Sequence, residues 1–249
     1  MIAWIDFKKV RTPVFSIMAV LLTSAALVPV IAGNMMYAEA TTEVCDFGTD
    51  TTFSGVTTIN AGEKCTVDGY TLTNIGSLIN NGLIKITDTG ALDNAGGFLS
   101  NNGNIKNEGT LYNGNGGATI INQATGTIKN EGSIWNGFVT FGGDSIVNFG
   151  TIKNEGIIYN GIAGNFIFNA ATGTINNEGT IDNDAQFTNL GTINNEGTIE
   201  NDEGGVLFNG VTGTINNEGT IENDSTIINC GTINNEGTIS GNPVEADCT

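Results

Sequence analysis

The chain has 249 residues, 8 basic against 26 acidic, no histidine and a formal net charge of −18. The few basic residues exclude a nucleic-acid partner, because phosphate contacts need Lys and Arg. Without histidine no Ser-His-Asp or Cys-His arrangement exists, and a zinc site loses its usual donors.

The chain opens on Lys8, Lys9 and Arg11, followed by an uncharged stretch at 13–32 and a small-x-small pattern, Ala38-Glu39-Ala40. This order predicts a secretory signal over residues 1–40, cleaved after Ala40. An uncleaved anchor is the alternative, since some twenty apolar residues can span a bilayer. After residue 40 there are 5 Lys and 24 acids, which gives 5 − 24 = −19. Such acidity suits an exported protein kept soluble by its own charge.

Residues 41–69 form an expected amino-terminal cap, and hexads begin near residue 70 with YTLTNI, GSLINN and GLIKIT. The triplet Asn-Glu-Gly then starts at 107, 130, 154, 177, 195, 217 and 235, with gaps of 23, 24, 23, 18, 22 and 18. Eighteen is three hexads, and the longer gaps lengthen only the third segment, as in GTIKNE-GSIWNG-FVTFGGDSIVNF at 126–149. A stacked coil tolerates insertions confined to one corner, so the period predicts a solenoid. In Gly-Thr-Ile-x-Asn-x, strand alternation puts Ile on the inner side and Thr and the x positions on the outer side. β-branched Thr and Ile favour strand, whereas a Gly every six residues disfavours helix by close to ~1 kcal/mol each time. Each inward Ile is worth roughly 1.5–3 kcal/mol when covered by rungs above and below, which is why the unit must repeat. The fold expected is all-β, a parallel β-solenoid of about eight coils over 70–242, ~4.8 Å per rung, with a carboxy-terminal cap at 243–249. The crossover rule and the lengthened third segments favour a right-handed coil. Equal hexads resemble the left-handed alternative.

The Asn at position five has two readings. It stacks inward as a hydrogen-bonded amide ladder, as for Asn177, Asn195, Asn217 and Asn235, or it occupies left-handed corners.

GTIKNEG and GTINNEGTIEND resemble the repeats of β-helical surface proteins, namely filamentous-haemagglutinin-like adhesins and autotransporter passengers. The resemblance covers about 70–240 and implies an exported structural or adhesive rod. It is specific for fold and poor for function. A subunit polymerising into a fibre is the alternative. An ice-binding protein and a polysaccharide-active β-helix enzyme are lesser ones.

Five features carry candidate chemistry. The even set Cys45, Cys65, Cys230 and Cys248 predicts disulfides 45–65 and 230–248, each sealing a terminal coil and worth roughly 3 kcal/mol in the chain-entropy model. Tyr112, Trp135 and Tyr159 occupy one outward position in successive coils, a column suited to sugar-ring or protein binding. Ile121, Val147, Phe168, Phe208 and Ile228, interrupted by Thr188, form an outward apolar stripe on the third face, which marks an interface and most simply self-association. Glu178, Glu196, Glu218 and Glu236, and Asp184, Asp202 and Asp224, form acidic columns that either splay into water or share Ca²⁺. No catalytic residue is expected. The sequon Asn223-Asp224-Ser225 offers a glycan acceptor.

Overall fold

The computed structural model describes residues 42–45, 47–137, 143–161, 164–246 and 248. Residues 1–40, including the apolar stretch and the cleavage pattern, lie outside them. So do the tips of the insertions at 138–142 and 162–163. Among the described residues there is no helix, and the strands form three ten-stranded parallel sheets. Chain order runs first sheet, second sheet, third sheet, then back to the first one rung on, which makes a β-solenoid. The segment expected as a cap already contributes to it: Thr51–Phe53 and Val56–Ile59 pair with Thr71–Asn74 and Ser77–Asn80.

Register follows the hexad. Thr192–Asn195, for example, pairs residue for residue with Thr174–Asn177 and Thr214–Asn217. The core is therefore three columns of aliphatics, such as Ile175-Ile193-Ile215 on the first sheet and Ile181-Ile199-Ile221 on the second, all at most 1% exposed. Phe187 takes the place of Ile on the third sheet and is fully buried.

The inward Asn form ladders in all three sheets. Asn177 Nδ2 donates to Asn195 Oδ1 at 2.7 Å, and Asn195 Nδ2 to Asn217 Oδ1 at 2.7 Å. Equivalent bonds link Asn160, Asn183 and Asn201 on the second sheet, and Asn169, Asn189 and Asn209 on the third. Most amides also donate to a carbonyl of the next rung, as Asn177 does to Thr198 O. The corner reading fails, because among the described non-glycine residues only Asn115 has a positive φ, 70°. Buried amides are costly unless bonded, and stacking bonds each one along the axis. On the first sheet the ladder begins at Asn107, because the rung before it holds Ile86. The Asn107 Oδ1 atom accordingly has no donor.

The glycine that follows Asn-Glu is required by close approach rather than by φ. A Cβ on Gly197 would lie 2.1 Å from Gly179 O, and one on Gly179 would lie 2.0 Å from Gly156 O. Coils stacked at strand spacing leave no room for a methyl group at that corner.

Candidate functional site: the three outer faces

The outer face of the first sheet is ionic in its earlier coils and amide-lined in its later ones. Lys106 pairs with Glu108 of its own coil and, at 3.6 Å, with Glu131 of the next. Lys129 repeats this with Glu131 and with Glu155 at 2.9 Å. Hydrogen bonds from their lysines hold the Glu108 and Glu131 carboxyls below the usual range. From residue 176 onward Asn replaces Lys, and a second, outward ladder forms. Asn194 Nδ2 donates to Asn176 Oδ1, and Asn216 Nδ2 to Asn194 Oδ1, both at 2.8 Å. Beside it runs a groove of about 430 Å³ between this ladder and Glu178, Glu196 and Glu218. Outward Thr residues are in register on the first two sheets, Thr174-Thr192-Thr214 and Thr180-Thr198-Thr220. On the first sheet each is followed outward by Asn, and on the second by an acid, so no flat Thr-x-Thr array forms.

The second sheet brings the aromatic column together. Tyr112, Trp135 and Tyr159 are direct register partners, each half-buried. The Trp135 and Tyr159 rings meet edge to face, with centroids 5.0 Å apart and planes at 61°, so they do not make one flat plate. Asp93 precedes the column and Asp182 follows it. Tyr159 Oη donates to Asp184 Oδ2 at 2.7 Å, which pushes the phenol pKa up. Asp182, Asp184 and Asp202 each offer a carboxylate oxygen within 4.8 Å of the others. Asp182 Oδ1 is buried without a hydrogen-bond partner. Burial, then the charges of Asp184, Asp202 and Glu200, pushes the Asp182 pKa up to about 6. Such hard oxygen donors are the kind Ca²⁺ takes, and exposed acidic groups are also common without an ion. The predicted acidic columns thus exist, but the close approach is made by Asp182, which was not among the predicted acids. The signal was available: Asp182 continues the Tyr112-Trp135-Tyr159 position, and Asp202 lies one minimal coil after Asp184.

On the third sheet Ile121, Val147, Phe168, Thr188, Phe208 and Ile228 are register partners, in the order expected. Their exposure is less than outward alternation implies. Ile121 is 6% and Thr188 8% exposed, and the others are half-buried. Gln186 Nε2 of the neighbouring outward column reaches Thr188 Oγ1 at 3.4 Å, and the corner residue Gln123 covers Ser100 in the same way at 3.2 Å, so polar side chains shield part of the column. The neighbouring outward column is more open, with Val56 75%, Phe98 36% and Phe166 37% exposed.

Both disulfides pair as expected, Cys45–Cys65 and Cys230–Cys248, with Cα separations of 4.6 and 5.6 Å. Tyr70 Oη bonds Cys45 O, and the Tyr70 ring packs against Phe47, which fixes the first rungs. The sequon does not present a glycan acceptor. Asn223 is fully buried, accepts from Asn201 Nδ2 at 2.8 Å and donates to Asn242 O.

Asp144 was not legible as a special residue. It is 1% exposed, its Oδ1 accepts the Ala118 N–H at 2.8 Å, and its Oδ2 has no partner. The N–H groups of Gly116 and Gly117 also favour the carboxylate, but burial outweighs them and pushes its pKa up. It clamps the insertion at 115–117 to the next coil.

The chain is thus a parallel β-solenoid repeat protein with three chemically distinct faces. No protein-family model matches it, and no curated protein matches it either. The resemblance to adhesins rests on the repeat alone.

Proposed function

We propose that the protein is an exported structural rod, adhesive in type, whose side faces bind partners at a cell surface or outside the cell. The observation that carries this reading is the separation of chemistry by face. One interior, repeated without change of register, holds an ionic column, an aromatic-to-acidic column and an apolar column in fixed relation over some nine rung spacings. At ~4.8 Å per spacing that is about 43 Å of rigid surface. The polar side chains lie in columns rather than converging on one cleft, which argues for presentation rather than catalysis. Two paired disulfides support an oxidising compartment, as does the basic, apolar, small-residue order of residues 1–40. The Tyr112-Trp135-Tyr159 column, with insertions beside it, is the face offered to a protein or glycan partner.

Fractionation of cells producing the full chain tests this. Export predicts that the protein is found outside the cytoplasm with no free thiol and with a new amino terminus after Ala40. An intact amino terminus on exposed, membrane-bound protein supports the anchored form. Cytoplasmic protein with four free thiols refutes the proposal.

A further inference from the structure

We propose that the outer face of the third sheet is the contact surface for a second copy of this chain, packed side by side. This rests on the reading of the protein as a rod with binding faces, and it specifies the partner of one face. The first nine strands of this sheet, from Val56–Ile59 to Thr226–Asn229, present two outward positions each, and none of these is charged. The first sheet carries Lys and the second Asp and Glu at the matching places. In a chain of net charge −18 an uncharged face this long is not a consequence of composition. The corner between the third and first sheets is uncharged as well, with Phe149 and Leu190 half-buried and Val211 81% exposed.

Charge selects the occupant. Two copies meeting through their second faces would oppose acidic residues at close range, and through their first faces would have to desolvate a Lys–Glu column. Meeting through third faces, they bury apolar surface, and the carboxylates of Asp184, Asp202 and Asp224 stay at the edge of the patch, at the corner between the second and third sheets. The outermost column also varies in size: Phe98 lies between Ser77 and Thr119, and Phe166 follows Ser145. Two sheets packed face to face at ~10 Å interdigitate when large residues oppose small ones. The size is sufficient: eight spacings of ~4.8 Å by four residues of ~3.3 Å give about 500 Å² per copy, or about 1,000 Å² together, the lower bound of a specific interface. A two-fold axis makes the patch self-complementary, which is the commonest way homo-oligomers form.

Sedimentation velocity of the full chain over a wide concentration range tests the proposal, beside two variants. The wild type is expected to dimerise, or to form a longer lateral assembly. Phe98→Asp with Phe166→Asp is expected to weaken association at least about thirtyfold, the effect of losing an anchor of about 2 kcal/mol, with an unchanged circular-dichroism spectrum. Thr192→Asp, on the first face, should leave association intact. If the double Asp variant does not fold, Phe98→Ser with Phe166→Ser replaces it, since Ser already stands at Ser77 and Ser145 in the same column. A wild type that stays monomeric at every concentration overturns the proposal, as does association that survives the Ser pair. Cross-linking that finds the face covered by the chain's own residues 1–41 also overturns it. Export is read by fractionation and stands or falls separately.

Discussion

The coils from Leu83 to Asn160 and those from Thr174 to Asn229 share one interior and differ almost wholly outside. Both stack Ile on Ile and Asn on Asn. The earlier coils wear a Lys–Glu chain on the first face and aromatic rings on the second. The later coils wear amides and unpaired carboxylates on the same two faces. The interior therefore decides that a solenoid forms and with which register. The exterior decides how each half answers to pH, salt and cations.

The largest effect expected is common to both halves. Asn154→Ala and Asn195→Ala each remove one rung from a buried ladder and strip a bond from the amide above and the amide below. At 1–3 kcal/mol for each orphaned group, each substitution should cost roughly 2–6 kcal/mol in denaturant unfolding. Similar values for the two would confirm a shared interior. A twofold or larger difference would show that the outer columns also support the ladder.

The terminal disulfides come next. Replacing either pair by Ser should cost about 3 kcal/mol. The two should differ in accessibility: Cys45 and Cys65 are at most 1% exposed, whereas Cys230 is half-buried and Cys248 exposed. Mild reductant followed by thiol-specific mass labelling should open 230–248 first. Equal labelling would mean that the first rungs open as readily as the last.

A smaller contrast, opposite in sign, is expected on acidification. Asp182 has a folded pKa raised from 3.8 to about 6. Its charged form is disfavoured in the fold, so the stability it contributes is fully present below the unfolded value and is lost as pH rises through about 6. Glu108 and Glu131 are lowered from 4.5, so their contribution is present above 4.5 and is lost as pH falls below it. Between pH 7 and 5 the coil around Asp182 should become more protected from hydrogen exchange than the coils of Glu108 and Glu131, and below 4.5 those two coils should lose protection. Asp182→Asn should abolish the first trend and leave the second.

The smallest effect separates paired from unpaired surface charge. Glu131→Gln breaks a chain of exposed ion pairs and should cost under about 1 kcal/mol. Glu196→Gln relieves repulsion between stacked carboxylates and should leave the thermal midpoint unchanged or raise it slightly. Added salt should narrow the difference. A gap that salt does not change would point to packing instead of charge.

The sequence disclosed most of the fold because one hexad carries both the strand signal and the inward residue. Ile at position three and Asn at position five define a rung wherever they occur. The earliest rungs were harder to see because they lack that signature. Phe53, Ile59 and Val67 stand where later coils put Asn, so only alternation marks those strands. The faces were legible as columns, since register follows from the repeat. Exposure was not, because polar side chains such as Gln123, at a corner, and Gln186, in the next outward column, fold across neighbouring positions. The Asp182-Asp184-Asp202 approach joins a strand residue, Asp182, to Asp184 and Asp202 at the corners of two coils, where alternation no longer says which way a side chain points. The buried sequon shows the opposite failure: a local motif suggested a surface site, while the longer period had already placed Asn223 in a ladder.

The inward ladders all run one way. In every sheet Nδ2 of one rung points to Oδ1 of the next, from the amino-terminal coils toward the carboxy-terminal ones. Side-chain amide dipoles aligned head to tail add, as peptide dipoles of about 3.5 D add along a helix, and chains of hydrogen bonds polarise one another. The three inward stacks therefore share one polarity, their Nδ2 ends facing the carboxy-terminal coils, while the outward Asn176-Asn194-Asn216 ladder runs the opposite way. An inward stack so oriented ends in an acceptor toward the amino terminus, as Asn107 Oδ1 does, and presents donors toward the carboxy terminus.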